Sequence, residues 1–320
     1  AAALAAMFTA VVRPSFAYAP AFHVKASTIG SGKSYLCDLI STFAKPGLTK
    51  KVSYPPTSDE ATKAILSLLL PSPAVIEFDD MATDWIPHGI INRMLTAESI
   101  TDRILGVSKT ATVSTRTLFL ASGNNVGPVR DLLRRVITIN IDHRCATPAT
   151  KAYKGSPVDT VRKDRGRYVA AVLTIILAWK AAGSPRVDVE NIATYGGTWA
   201  DYCRHPLIWL GLADPATALL EQVKHDPDAD ALLSLMTAWH RRFGSTPTTV
   251  RKAILATVNP GGDESLRDAI CEFPVEERGL INPSKFGWIL KKNVNRIVGD
   301  YTFKQSTADG RVAWVVTKIS

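Results

Sequence analysis

The stretch Ser27-Thr-Ile-Gly30-Ser31-Gly32-Lys33-Ser34 constrains this chain more than any other, because of what flanks it. Ala21-Phe-His-Val-Lys-Ala26 before it reads as a strand, and residues 33–44 after it carry helical spacing. Strand, glycine turn and helix in that order predict the phosphate-cradling loop GxxxxGK[ST], with Ser27 standing where the first glycine belongs. Gly30 and Gly32 let the backbone curl around Ser31, so that its N–H groups surround phosphates at a helix N-terminus. Lys33 then reaches the β- and γ-phosphates of ATP, and the Ser34 hydroxyl ligates Mg²⁺. The same string without its neighbours is only a helix start after a glycine turn.

A magnesium–nucleotide site needs acids at the end of a second strand. Ala74-Val-Ile-Glu-Phe-Asp79-Asp80 supplies them in the Walker B manner. Asp79 is placed to hold Mg²⁺ and Asp80 to polarise the attacking water. On its own, a strand ending in two aspartates is more often a solvated turn. A third apolar strand ends in Ala121-Ser-Gly-Asn124-Asn125, where Asn124 can orient that water or simply form a turn. Ten residues on, Arg134-Arg135-Val precedes a further strand. Paired arginines there suit a finger reaching the γ-phosphate of a neighbouring subunit, or a helix end serving its dipole.

Strands alternating with helices over residues 1–150 predict an α/β domain with a parallel sheet. Helical patterns follow over 161–182, 198–212 and 215–225, so residues 151–228 are expected to continue it as an α-helical segment. The loop 224–230 is the linker candidate. Beyond it, three helical stretches (231–243, 248–256 and 283–295), an acidic stretch between the last two, and a hairpin about Asp309-Gly310 give the winged-helix order for 229–320. The first twelve residues are almost wholly apolar but are cut by Arg13-Pro14, too short for a membrane span, and predict a buried helix. The lack of an initiator methionine is expected of a piece of a larger protein. Four widely spaced cysteines without a CxxC pair predict reduced thiols in a cytoplasmic protein, neither a disulfide framework nor a zinc site.

Taken in order, GSGKS, the Asp-Asp strand, Gly-Asn-Asn and Arg-Arg-Val resemble AAA+ ATPases of the superfamily 3 helicase type. The resemblance is narrower still to the helicase parts of phage, plasmid and integrative-element primase-helicase replication proteins. Leu95-Thr-Ala-Glu-Ser-Ile-Thr-Asp-Arg103-Ile-Leu-Gly106 and the stretch from Trp199 through Trp209-Leu-Gly-Leu-Ala-Asp-Pro215 are similar to segments of that group. The similarity covers about the first 220 residues and the winged-helix tail. Ser27 for glycine and Asp80 for glutamate depart from it. It implies a P-loop AAA+ core, a homo-oligomeric ring, most often a hexamer, and an upstream primase or polymerase domain. It also implies a β-hairpin within 100–116 that grips single-stranded DNA in the pore, with Lys109 at its tip and Arg103 in support.

Charge agrees with a polyanionic partner. The chain carries 38 basic and 29 acidic residues, for a net charge of +9. From residue 280 onward seven basic residues face two acidic ones. Lys291, Lys292 and Arg296 gather where a winged-helix recognition helix meets duplex phosphates. Trp288, Trp314 and Tyr301 fit a small core better than base stacking. The expected activity is an ATP-dependent DNA helicase or translocase with no membrane role. The alternatives are an AAA+ loader that assembles on DNA without unwinding it, or a DNA-binding scaffold whose ATPase has decayed.

Overall fold

The apolar runs read as strands pair into one parallel sheet, and the loops at its carboxyl ends carry the polar motifs. The computed structural model describes every residue except 29, 48, 105–108, 145–146, 151–153, 259–260 and 320. Two compact units divide the chain, 1–224 and 225–320.

The first unit runs α1 (Ala2–Val12), β1 (Ala21–Ala26), α2 (Lys33–Ala44), β2 (Lys50–Val52), α3 (Ser58–Leu69), β3 (Val75–Met81) and α4 (Gly89–Met94). A hairpin of β4 (Ser99–Arg103) and β5 (Thr110–Ser114) follows, then β6 (Leu118–Asn124) and β7 (Val136–Asn140). Helices α5 (Pro157–Lys163), α6 (Arg165–Ala181), α7 (Thr198–Cys203), α8 (His205–Trp209) and α9 (Thr217–Lys224) complete it. The sheet order is β2-β3-β6-β1-β7, with every pairing parallel.

Helices cover both faces, which is why these strands are apolar almost throughout rather than alternating. Phe22, Val24, Leu118, Leu120, Ile137 and Ile139 join a core with Ala5 and Phe8 of α1 and Ile40 of α2. Their neighbours Ala21, Phe119, Ala121 and Val136 join the opposite core, with Ile65 of α3 and Ile91 of α4. The helical stretch after residue 150 shares the first of these cores through Val172, Ile176 and Trp199. The Trp199 indole N–H donates to Thr9 Oγ1 at 3.0 Å, tying α7 to α1. The single helix predicted over 161–182 is two helices, because Asp164 leaves helical geometry at φ −131°, ψ 45°. The apolar N-terminal run is a buried helix, as its composition predicts. No helix among the described residues is long and apolar enough to cross a membrane.

The second unit runs α10 (Pro227–Phe243), α11 (Val250–Val258), α12 (Glu264–Cys271), β8 (Glu276–Glu277), β9 (Leu280–Ile281), α13 (Pro283–Lys292), β10 (Ile297–Val298), β11 (Tyr301–Ala308) and β12 (Arg311–Lys318). The last three strands form an antiparallel sheet. Its core gathers Trp239, Phe286, Leu290, Phe303, Trp314 and Val316. Asp309 and Gly310 both take positive φ, 52° and 69°, as the Asp-Gly turn requires.

Two expectations for this unit need correction. The acidic stretch contains a helix, α12, capped by Asp263, whose carboxylate accepts the Leu266 N–H at 2.9 Å. Its acids Glu264 and Asp268, and Glu272 at its C-cap, are exposed while Leu266, Ala269 and Ile270 are buried, so charge conceals the helical period. Trp288 is not a core residue: it is 59% exposed, whereas Trp314 is 3% exposed. Helix α13 buries Phe286 and Leu290, and the residue midway between them must point the other way.

Candidate functional site

Three neighbouring strands bring the polar motifs together. β6 lies between β1 and β3, with Ala26 opposite Asn124 and Met81 opposite Gly123. Asn124 therefore falls between the glycine loop and the paired aspartates. A bulge after Phe78 turns Asp79 and Asp80 out of the ladder. Gly123 is required there, because a Cβ on it would lie 2.2 Å from Val126 Cγ2 and 3.0 Å from the Met81 carbonyl oxygen.

Helix α2 opens in the manner of an anion site. Gly32 at its N-cap adopts φ +75°, and no side chain caps the first turn. Gly30 is also left-handed, at φ +71°, and a Cβ on it would meet Ala149 Cβ at 2.5 Å. The first turn carries a lysine where the helix dipole favours an acid. Lys33 is only 9% exposed, and no carboxylate among the described residues lies within ion-pair distance of it. Its ammonium instead donates to Asn124 Oδ1 at 2.6 Å and, at 3.4 Å, to Ser31 Oγ. At the far end of α2, Arg165 donates to the carbonyls of Thr42, Phe43 and Ala44. The negative pole of this helix is thus neutralised within the protein, while no side chain among the described residues caps the positive pole.

Beside the lysine, the Ser34 hydroxyl donates to Asp79 Oδ1 at 2.9 Å. The same oxygen accepts from Ser122 Oγ at 2.7 Å and from the Asp80 N–H at 3.1 Å. Burial alone raises the Asp79 carboxyl, but the bonds from Ser122 and Ser34 and the Lys51 charge together hold it below its ordinary value. Asp79 is therefore ionised, and a hydroxyl facing a carboxylate is a donor set suited to a hard cation. Asp80 is exposed and sits at φ +49°. Glu77 on the same strand is fully buried, and burial pushes its carboxyl up to about 7 against the pull of Lys51.

A cavity of about 510 Å³ opens beside residues 30–32, lined by Tyr35, Leu36, Ile141, His143 and Pro157 among others. Tyr35 is held by α5, whose Val158 N–H donates to its hydroxyl at 3.1 Å. The His143 Nε2 donates to the Ser31 carbonyl at 2.7 Å and so tethers the loop.

The two arginines are placed differently. Arg135 is 12% exposed; it pairs with Asp131 at 2.7 Å and donates to the Asn92 carbonyl at 3.2 Å. Arg134 is 57% exposed and shares Asp131. The hairpin expected within 100–116 is present, with Arg103 opposite Thr110. Arg103 and Lys109 are both exposed, and the Lys109 carbonyl accepts the Ile104 N–H at 2.9 Å. Of the expected tip, Lys109 is described, while residues 105–108 before it, Gly106 included, lie outside the described residues. In the second unit Lys291 and Lys292 are exposed, and the Lys292 ammonium stands 5.3 Å from the centre of the Trp288 ring. Arg296 is engaged by Asp226 at 3.0 Å.

Ser122 and Glu77 lie within the sequence motifs at positions to which the motifs give no role, and Lys51 lies outside them, yet all three belong to the site's geometry. Glu77 left a readable trace, an acid inside an otherwise apolar strand. Lys51 left none, because a three-residue edge strand has no periodicity to read.

No family model matches the sequence, and no curated protein matches it. Among solved structures, the apo C-terminal region of NrS-1 is similar at a TM-score of 0.41 and 13% identity, over 98% of this chain and 70% of that one.

Proposed function

We propose that the first unit is a magnesium-dependent ATPase of the AAA+ type, and that the chain is a DNA helicase or translocase module of a mobile-element replication protein. One observation carries the reading. A buried lysine with no acidic partner among the described residues stands at an uncapped helix N-terminus, beside a serine hydroxyl facing an ionised aspartate. Buried charges are normally paired, so an anion supplied from outside completes this site.

In that reading the loop residues 30–34 hold the phosphates, and the base enters the cavity beside Tyr35 and His143. Ser34 and Asp79 fit Mg²⁺, which supplies charge neutralisation at the phosphate oxygens when bound. Lys33 moves from Asn124 Oδ1 to a phosphate, and the freed amide orients water. Asp80, exposed at the strand end, takes the proton of that water. Arg134 is the stronger candidate for a finger acting on the next subunit of a ring, since Arg135 is committed to Asp131 and a backbone carbonyl. Lys109 and Arg103 on the hairpin would meet single-stranded DNA. Lys291 and Lys292, with Arg296 once it leaves Asp226, would meet duplex phosphates on a winged-helix-like second unit.

The test is ATP hydrolysis and strand displacement on a forked duplex, each measured with wild-type protein and Lys33→Ala. Hydrolysis stimulated by single-stranded DNA, with displacement, and the loss of ATP binding in Lys33→Ala are expected. Nucleotide affinity unchanged in Lys33→Ala rejects the site. DNA-stimulated hydrolysis without displacement gives a loader instead.

A further inference from the structure

Strand β2 is a short edge strand, yet its middle residue reaches three carboxylates. Lys51 stands opposite Glu77 in the parallel register. Its ammonium lies 3.4 Å from Asp38 Oδ1 on α2, 3.6 Å from Glu77 Oε1 and 3.5 Å from Asp79 Oδ2. Glu77 has no exposed surface, and neither of its oxygens has a hydrogen-bond partner among the described residues. A buried carboxylate without donors costs stability that an apolar residue would not, so its retention calls for another role. Asp79 supplies that role, because the two ends of its carboxylate are held by different elements. Oδ1 receives Ser34, Ser122 and the Asp80 N–H, while Oδ2 faces Lys51.

We propose that Lys51, anchored by Glu77 and Asp38, is a positioning residue that holds Asp79 Oδ2 and thereby keeps Oδ1 turned to Ser34 for magnesium. This inference rests on the nucleotide-site reading above. A carboxylate at a strand end can turn about two side-chain bonds. A cation fixed behind it removes that freedom before the metal arrives, as outer partners do for metal-binding carboxylates in general. Lys51 also offsets the repulsion of Asp79 by the two neighbouring carboxyl groups, Asp38 and Glu77, that would otherwise push it out of this orientation.

The experiment titrates a fluorescent ATP analogue into the full chain, first with a chelator and then at increasing Mg²⁺. Lys51→Met combined with Glu77→Gln removes the anchor without stranding a buried charge. This double variant is expected to bind the analogue as wild type does without metal, but to need roughly tenfold more Mg²⁺ for half-maximal tight binding. Lys51→Arg should recover most of the loss. Should the double variant fail to fold by thermal melting, Glu77→Gln alone, which only loosens the anchor, should raise the magnesium requirement in the same direction by a smaller factor. An unchanged or lowered requirement in folded variants overturns the inference while leaving the nucleotide site intact. Wild-type protein without magnesium-dependent binding overturns the nucleotide site, and this inference with it.

Discussion

Single side chains at the sheet's carboxyl edge owe their state to where they are held. Asp80 occupies a left-handed backbone position at φ +49°, which aspartate tolerates and glutamate adopts less readily. That is a structural reason for aspartate, the shorter acid, at this end of β3. His23 is a second case, fully buried in β1. Its Nε2 donates to the Val126 carbonyl at 2.8 Å, and its Nδ1 accepts from the Trp85 indole at 3.1 Å, which fixes a neutral tautomer. Burial lowers its pKa from 6.5 to about 4. The folded value lies below the unfolded one, so the contribution is complete above about pH 6.5 and drains away as pH falls through about 4. It amounts to about 3 kcal/mol. Urea unfolding at pH 7.5 and pH 5 should show wild type losing more stability than His23→Gln over that interval. Parallel losses in the two proteins would assign the acid sensitivity to other groups.

Elements here are set by close contact at their ends as much as by propensity. The end of β6 can approach β3 only because residue 123 has no side chain. Gly123→Ala should lower stability by about 1–3 kcal/mol, as overpacking does, because Val126 and the Met81 carbonyl must both give way. Gly127→Ala is the control, since a Cβ there meets nothing within 4 Å. A comparison of denaturant midpoints reads the difference, and equal midpoints would show that the loop yields freely. Helix α2 shows the same logic in electrostatic form. Its carboxyl end is neutralised by Arg165 while its amino end stays uncapped, so the element is most stable when an anion joins it.

At the scale of the whole molecule, the first unit is held as one body by long-range ties. Buried Arg13, just after α1, donates to the carbonyls of Phe16, Thr115 and Thr117. Tyr195 reaches across to the Leu95 carbonyl at 3.0 Å. If ATP is hydrolysed between subunits, activity belongs to the assembly. Arg134→Ala should then bind ATP and hydrolyse it poorly, and Lys33→Ala should do neither. A one-to-one mixture of the two, co-assembled, should regain activity at about one interface in four, since each heterologous contact joins two different patches. An ATPase assay on the mixture measures this. No recovery in a mixture shown to co-assemble would restrict Arg134 to its ion pair with Asp131.

How much of this was legible depended on the range of the forces involved. Periodicity and local turn chemistry are short-range, so the sequence alone determined four of the five strands of the parallel sheet (all but the edge strand β2), helix α2, the buried N-terminal helix and the Asp309-Gly310 turn. It also singled out Lys33, Ser34, Asp79 and Asn124, because glycines and acids at strand ends interrupt an apolar pattern. Helix α12 stayed hidden, since its exposed acids dominate a short apolar period, and Trp288 was misjudged because spacing counts residues without knowing which face is covered. The partners of Asp79 were decided only by tertiary structure. Ser122 and Lys51 reach it from β6 and β2, one on either side of β3 in the sheet. Strand order is set by how helices pack over both faces of the sheet, a sum over contacts far apart in sequence, and no local pattern of residues encodes it.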